Sequence, residues 1–188
     1  KIVGHNYAAI GDSAAMTVPL TGSGLDNAFK AARMLADIII KLDNIPQSES
    51  NPNVSYGVEE LWEFQYTYMK EIGYEMAGIQ YLKDYMLTLP WKDLDFLFER
   101  GLIKANDFES AMTGDEVDLS PIDLFGRVIR GFSRLPVLLN LKTATDGVKR
   151  VKKLAKGIPK DYNIQRIKKW AVSVALEFEK FEKKLKNL

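Results

Sequence analysis

Residues 7–28 read YAAIGDSAAMTVPLTGSGLDNA, and this stretch decides how the start of the chain folds. Residues 7–10 form a short apolar run that ends at a Gly-Asp pair, a pattern typical of a buried strand. A Thr-Gly-Ser-Gly turn follows at residues 21–24, and apolar residues then recur with helical spacing over residues 25–42. The sequence therefore predicts a strand, a glycine-rich loop and a helix, in that order.

The polar groups of this stretch suit a bound ligand. Gly22 and Gly24 permit positive φ angles and leave backbone amides uncovered, and the positive end of the following helix lies beside them. Asp12, at the end of the strand, can accept hydrogen bonds from sugar or ribityl hydroxyls. From the residues alone, the alternatives are a ligand-binding strand–loop–helix and an ordinary turn with a helix cap.

The full spacing resembles the second flavin-binding signature of the glutathione-reductase-like flavoproteins, in particular the branch with aromatic hydroxylases and geranylgeranyl reductases. That signature is a strand, a Gly-Asp pair, a proline, a G-x-G turn and an alanine-bearing helix. The matching positions here are Gly11, Asp12, Pro19, Gly22, Gly24 and Ala28. The resemblance implies a mainly α chain: residues 1–43 form the last strand and helix of an FAD-binding domain, residues 44–57 a linker, and residues 58–188 a helical C-terminal domain.

The resemblance also implies that the loop holds FAD. Asp12 would bond the ribityl chain, and the amides from Gly22 through Leu25 would lie beside the pyrimidine edge of the isoalloxazine, where they stabilise negative charge on the reduced flavin. The cofactor-binding residues that it implies are Gly11, Asp12, Pro19, Gly22, Ser23, Gly24 and Leu25. No residue is assigned a catalytic role, and none is assigned to a metal.

One departure from the signature separates the branches of the family. Ala15 stands where aromatic hydroxylases commonly carry the histidine of G-D-A-A-H, and this makes the chain more similar to geranylgeranyl reductases. Residues 61–87 are similar to the region after the flavin motif in archaeal reductases of isoprenoid lipids. The implied activity is reduction of carbon–carbon double bonds in geranylgeranyl or other isoprenoid lipid chains, during lipid biosynthesis, with an external electron donor for the flavin.

Two alternatives to this activity stay open. One is another flavoprotein of the same superfamily, such as a quinone-linked dehydrogenase, a halogenase or a monooxygenase. The other is a non-enzymatic helical interaction domain. Because the dinucleotide fingerprint G-x-G-x-x-G does not occur, we expect the chain to be the C-terminal portion of a longer flavoprotein that holds the ADP half of FAD elsewhere. Alone, it should neither bind FAD tightly nor turn over substrate.

The composition excludes several other classes of protein. The chain has 188 residues, of which 46% are hydrophobic and 27% charged, so it can bury a sizeable core. It has no cysteine, which excludes a disulfide scaffold, a thiolate zinc site and a cysteine nucleophile. Its single histidine, His5, argues against a multi-histidine metal site and a Ser-His-Asp hydrolase.

Helical patterns fill the chain after the linker. Proline and glycine positions predict the ends of these helices, with weak points at Gly73 and Gly78 and a stop at Pro90. The predicted helices cover residues 58–89, 94–100, 105–112, 120–132, 145–155 and 163–185. Five tyrosines and three methionines between residues 66 and 86 suit either a plain core or the lining of a polyprenyl site.

Charge is distributed unevenly along the chain. The formal net charge is +1, but residues 149–188 carry 13 lysines and arginines against four acidic residues. This basic end suits an anionic phospholipid surface, with Trp170 available at the interface, and the alternative is a solvated helix face. We expect a cytoplasmic protein with peripheral contact to an anionic membrane and no nucleic-acid partner. The apolar spacing of residues 164–185 predicts that the last helix packs against the chain's own body rather than in a coiled-coil dimer.

Overall fold

The computed structural model describes residues 1–44, 56–103 and 134–185, with side chains as far as residue 180. The described part is mainly helical, as the sequence predicts, with one antiparallel sheet of two strands, β1 (Val3–Gly4) and β2 (Tyr7–Ala8). Its α-helices are α1 (Leu25–Asp43), α2 (Trp62–Tyr68), α3 (Tyr74–Thr88), α4 (Trp91–Glu99), α5 (Leu135–Lys156) and α6 (Ile164–Leu185). None of these helices is both long and apolar enough to cross a membrane.

The strand predicted at residues 7–10 is shorter than expected and belongs to a hairpin. Asn6 has a φ of 52°, a conformation that asparagine tolerates, and this turn folds β2 back onto β1. Val3 is buried, whereas Tyr7 is exposed, so the inner strand is the one without a strand signal in the sequence. β2 ends at Ala8 because the chain then turns into a 3₁₀ helix at Gly11–Ala14.

Helices α2 and α3 are joined without a break by a π-helical turn at Met69–Gly73. The weak point predicted at Gly73 is therefore confirmed, since the wide turn ends there. Gly78 does not interrupt α3, and a Cβ atom at this position would contact the side chain of Lys152 on α5. The missing side chain at Gly78 lets α5 pack closely on α3.

Helix α5 begins at Leu135, ten residues before the start predicted from the sequence. The hydroxyls of Thr143 and Thr145 donate hydrogen bonds to the carbonyl oxygens of Leu139 and Lys142 in the preceding turn. Threonines that interrupt the apolar pattern are thus accommodated inside a continuous helix.

The sequence predicts the position of helix α4 correctly but not its first residue. Helix α4 begins at Trp91, directly after Pro90, rather than at residue 94. Proline suits a position just before the first helical turn, because its missing N–H is not needed there. The helices predicted at residues 105–112 and 120–132 lie outside the described residues.

Helix α6 packs against α5, which confirms the expectation that it contacts the chain's own body. The indole N–H of Trp170 donates to the Leu154 carbonyl at 2.9 Å, and Arg150 pairs with the buried carboxylate of Glu177 at 2.6 Å. The apolar series is not buried throughout, since Ile164 is exposed.

One hydrophobic cluster joins the two predicted segments on either side of residues 44–57. Its buried members are Val3, Met16, Ala31, Ile38, Leu61, Trp62, Phe64, Tyr68, Ile158 and Ile167. The Trp62 indole N–H also donates to the Pro159 carbonyl at 3.0 Å. The hairpin, α1, α2 and the chain around α6 therefore share one core, on which the glycine loop rests.

Candidate functional site

The candidate site is built on the turn that follows the hairpin. The 3₁₀ helix Gly11–Ala14 is closed by Ala15, which has a left-handed φ of 52°, and the amide of Ala15 donates to the Asp12 carbonyl at 3.0 Å. The amide of Met16 donates to the Gly11 carbonyl at 3.1 Å. These bonds fix the backbone of Asp12 while its side chain stays exposed.

The carboxylate of Asp12 is oriented by Thr17, a residue that the sequence did not single out. The Thr17 hydroxyl donates to Asp12 Oδ1 at 2.8 Å, and the second carboxylate oxygen has no hydrogen-bond partner among the described residues. An exposed carboxylate with one oxygen occupied and the other open is an acceptor for the hydroxyl of a ligand.

The two glycines of the loop serve different purposes. Gly22 adopts the left-handed backbone that glycine permits, with a φ of 72°, whereas Gly24 does not, with a φ of −140°. Gly24 is needed for space instead. A Cβ atom there would lie 3.2 Å from Thr17 Cα and 3.4 Å from Asp12 Oδ1. The loop and the end of the hairpin thus approach closely only because residue 24 has no side chain.

Half of the predicted amide donors are used within the loop. The Gly22 amide donates to the Val18 carbonyl at 3.0 Å, and the Ser23 amide lies 3.3 Å from the Thr21 hydroxyl oxygen. The amides of Gly24 and Leu25 have no acceptor in the described part of the chain. They stand at the positive end of α1, where they can donate to an electron-rich ligand atom.

The start of α1 is anchored by Asn27, a second residue that sequence reasoning missed. Its buried side-chain amide donates to the Met16 carbonyl at 3.0 Å and contacts the sulfur of Met76 on α3 at 3.4 Å. An asparagine in the first turn of an amphipathic helix resembles a surface residue in sequence, and only the fold reveals its burial. Asn27 holds the open amides in place relative to the turn that carries Asp12.

The small residues of α1 permit the contact between this helix and the turn. A Cβ atom at Gly11 would lie 3.7 Å from the Cβ of Ala28, which is ordinary van der Waals contact. The seven predicted cofactor-binding residues extend from the 3₁₀ helix at Gly11, through the glycine loop, to the first residue of α1, Leu25. Pro19 is half-buried and Leu25 is exposed.

One groove on the helical body lies apart from this turn. This groove, of about 600 Å³, runs between α1 and α2 with Met34, Ile38 and Ile72 in its lining, and charged side chains surround it. It contains none of the seven predicted residues. The groove is a surface feature of the helical body rather than part of the Asp12 turn.

The tyrosines of the helical body lie mainly in the core. Burial raises the pKa values of Tyr68 and Tyr85 to about 12, so both phenols stay neutral over the physiological range. Tyr81 packs against Phe178 with ring centroids 5.5 Å apart. The plain-core alternative accounts for these three side chains.

The geometry defines a class of site. An exposed carboxylate and two open amides lie within one turn, so the turn can accept hydrogen bonds from hydroxyls and donate to an electron-rich edge. A ribityl chain could donate to the carboxylate and a flavin ring edge could accept from the amides, so these residues are compatible with FAD.

Comparison with known proteins gives one relative. The chain is 24% identical over 156 residues to the digeranylgeranylglycerophospholipid reductase of Sulfolobus acidocaldarius. The matched region is 83% of this chain and 33% of that protein, so the chain spans about a third of the length of the curated relative it matches. No protein-family model matches the chain.

Proposed function

We propose that this chain is part of an FAD-dependent reductase that saturates carbon–carbon double bonds of isoprenoid lipid chains. The observation that carries the proposal is the Asp12 carboxylate, exposed and oriented by Thr17, beside the open amides of Gly24 and Leu25. The relative named a digeranylgeranylglycerophospholipid reductase supports the substrate class. The partners in this proposal are an isoprenoid lipid and an external electron donor.

In the proposed role, each polar group of the turn has one task. Asp12 accepts hydrogen bonds from ribityl hydroxyls, and Thr17 holds the carboxylate in the orientation that this requires. The amides of Gly24 and Leu25 donate to the pyrimidine edge, where they and the positive end of α1 favour negative charge. FAD, when bound, supplies the hydride chemistry that no side chain of this turn can provide.

The test is flavin retention by the full-length protein after Asp12→Ala. Loss of a charged hydrogen bond is worth roughly 1.5–3 kcal/mol, which corresponds to a flavin affinity lower by about ten-fold to 150-fold. Flavin absorbance after purification and a fluorescence titration measure this change. The matched control is Asp26→Ala, which removes an exposed carboxylate from the first turn of α1, where it pairs with Lys30 at 2.7 Å.

Two results would contradict the proposal. Unchanged flavin affinity in Asp12→Ala would contradict the assignment of this turn to flavin binding. An equal loss of flavin affinity in Asp12→Ala and Asp26→Ala would contradict it as well. The substrate class is tested separately, by incubating the flavin-loaded protein with a digeranylgeranyl lipid and dithionite and measuring hydrogen uptake by mass spectrometry. A protein that retains flavin but leaves the lipid unsaturated would belong to another branch of the flavoproteins.

A further inference from the structure

Helix α6 has two unlike sides over its first three turns. Ile167 is buried on the side that packs against the chain's body. On the opposite side Val172 and Leu176 lie about one turn apart, and they are 55% and 45% exposed. Scattered exposed aliphatic residues are ordinary, but an adjacent pair on the outward face of a packed helix forms a small apolar surface.

The same part of α6 carries only positive charge. Between Ile164 and Leu176 it contains Arg166, Lys168 and Lys169 and no acidic residue. Within the described ranges, none of these three has an ion-pair partner, and both lysines are exposed. At 3.6 residues per turn, Lys168 and Lys169 lie one on either side of the Val172–Leu176 pair.

Several other residues of the basic region 149–188 already contact other groups of the chain. Arg150 pairs with Glu177 at 2.6 Å, and Lys152 pairs with Glu75 at 2.7 Å. The indole of Trp170 is half-buried and donates to a backbone carbonyl, so it is not the interfacial anchor that the sequence suggested. The cationic and apolar groups that remain available together are those on the outer face of α6.

We propose that this outer face of α6, formed by Lys168, Lys169, Val172 and Leu176, docks on an anionic lipid surface. Lysines that flank an aliphatic pair on one side of a helix match the headgroup layer, where phosphates meet acyl chains. No acidic residue lies between Ile164 and Leu176, which favours an anionic partner for this part of the helix, and the exposed Glu179 lies beyond it in the next turn. The exposed apolar side of α1 differs, because Asp26 and Asp37 lie among its basic residues.

The proposal does not depend on the flavin assignment. It rests on α6 alone, and none of its four residues belongs to the Asp12 turn. The measurement is co-sedimentation of the full-length protein with vesicles of phosphatidylcholine, with and without phosphatidylglycerol. We expect binding to the mixed vesicles only, with a steep decrease as salt is raised, because the Debye length is about 8 Å at physiological ionic strength.

Three variants locate the contact. Lys168→Gln with Lys169→Gln should weaken binding to the mixed vesicles at least about ten-fold, since one lysine near an anionic surface contributes about five-fold. Val172→Ser should weaken it several-fold. The charge-matched control is Lys149→Gln with Lys153→Gln, which removes two exposed lysines from α5 and should have the smaller effect.

Several outcomes would overturn the proposal. One is equal binding to neutral and mixed vesicles, and another is equal losses in the α5 and α6 double variants. A third is a Val172→Ser protein with lower unfolding stability in the absence of lipid, because that result would mean that protein covers the face. Flavin content, measured in parallel, should be unchanged in every α6 variant, so this test and that of the flavin site fail independently.

Discussion

At the scale of single residues, the decisive contact is the hydrogen bond from Thr17 to Asp12. Replacing Thr17 with valine keeps the shape of the side chain but removes the donor, leaving the Asp12 carboxylate free to rotate. We expect Thr17→Val in the full-length protein to lower flavin affinity by about five-fold to ten-fold, the equivalent of one ordinary hydrogen bond of about 1 kcal/mol. Flavin fluorescence titration measures the change.

The conservative variant separates positioning from general damage. Thr17→Ser retains the hydroxyl and should keep flavin affinity within about two-fold of the wild type. If Thr17→Val also binds flavin normally, the hydrogen bond at 2.8 Å has no role in holding the cofactor. If serine is as harmful as valine, Thr17 acts through packing.

The residues of the turn show how far sequence reasoning extends. Asp12 and the glycines were identified because a Gly-Asp pair and a G-x-G turn have a fixed spacing along the chain. Thr17 and Asn27 were missed because their roles depend on where the chain returns in space, and neither residue type is unusual in its local sequence. The spatial reason for Gly24 was not visible in the sequence either, since its close approach to Thr17 is a tertiary contact rather than a backbone requirement.

At the scale of elements, Gly147 is a point of close contact between α5 and α3. A Cβ atom at Gly147 would overlap the ring of Tyr81, which is buried and packed on Phe178. We expect Gly147→Ala to lower the free energy of unfolding by about 1–3 kcal/mol, because a filled core cannot accept an added methyl group. At an exposed helical site, a glycine-to-alanine change would instead raise the free energy of unfolding by up to about 1 kcal/mol.

A matched control exists in the same crossing. A Cβ atom at Gly78 would meet Cγ and Cδ of the flexible Lys152 side chain at 2.7–2.9 Å and Cγ1 of Val148 at 3.3 Å, so a shift of the lysine and a small movement of the valine would make room. Gly78→Ala should therefore change the free energy of unfolding by less than about 1 kcal/mol. Urea unfolding followed by far-ultraviolet circular dichroism compares the two variants, and equal effects would show that the tight contact with Tyr81 is not limiting.

Helix ends were predictable where the chemistry is local. Pro90 separates α3 from α4, and the side chain of Asn163 accepts hydrogen bonds from the amides of Gln165 and Arg166 at the start of α6. The start of α5 was predicted at residue 145, ten residues too late, and Thr143 and Thr145 at this point are weak helix formers. Packing of α5 on α3 outweighs their weak helix propensity.

At the scale of the whole molecule, packing unites segments that the sequence separates. The core contains Val3 and Ile38 from before the linker, with Trp62 and Ile158 from after it. Composition changes mark the linker, but contacts between residues so far apart in sequence leave no local pattern. The charge asymmetry shows the same limit, because the sequence reveals the excess of lysine but not that Arg150 and Lys152 face acidic partners.

The outer side of α1 leads to the last prediction. Leu25, Phe29 and Ile40 lie on this helix with their side chains exposed, and Phe29 is 67% exposed. The relative extends well beyond the matched region, which makes up 33% of its length. The proposed function makes this chain part of a longer flavoenzyme, and on that proposal we expect further protein of the enzyme to cover this side of α1.

The free energy of unfolding of Phe29→Ala in the full-length protein tests whether further protein covers this side of α1. A phenylalanine buried by further protein should cost about 3–5 kcal/mol of unfolding free energy when truncated, because both transfer energy and a filled volume are lost. The control is Leu87→Ala on α3, a residue 76% exposed, for which a change within about 0.5 kcal/mol is expected. If both variants unfold at the same urea concentration as the wild type, the α1 side stays open to solvent. The flavin turn would then have to hold its cofactor without a protein wall along this helix.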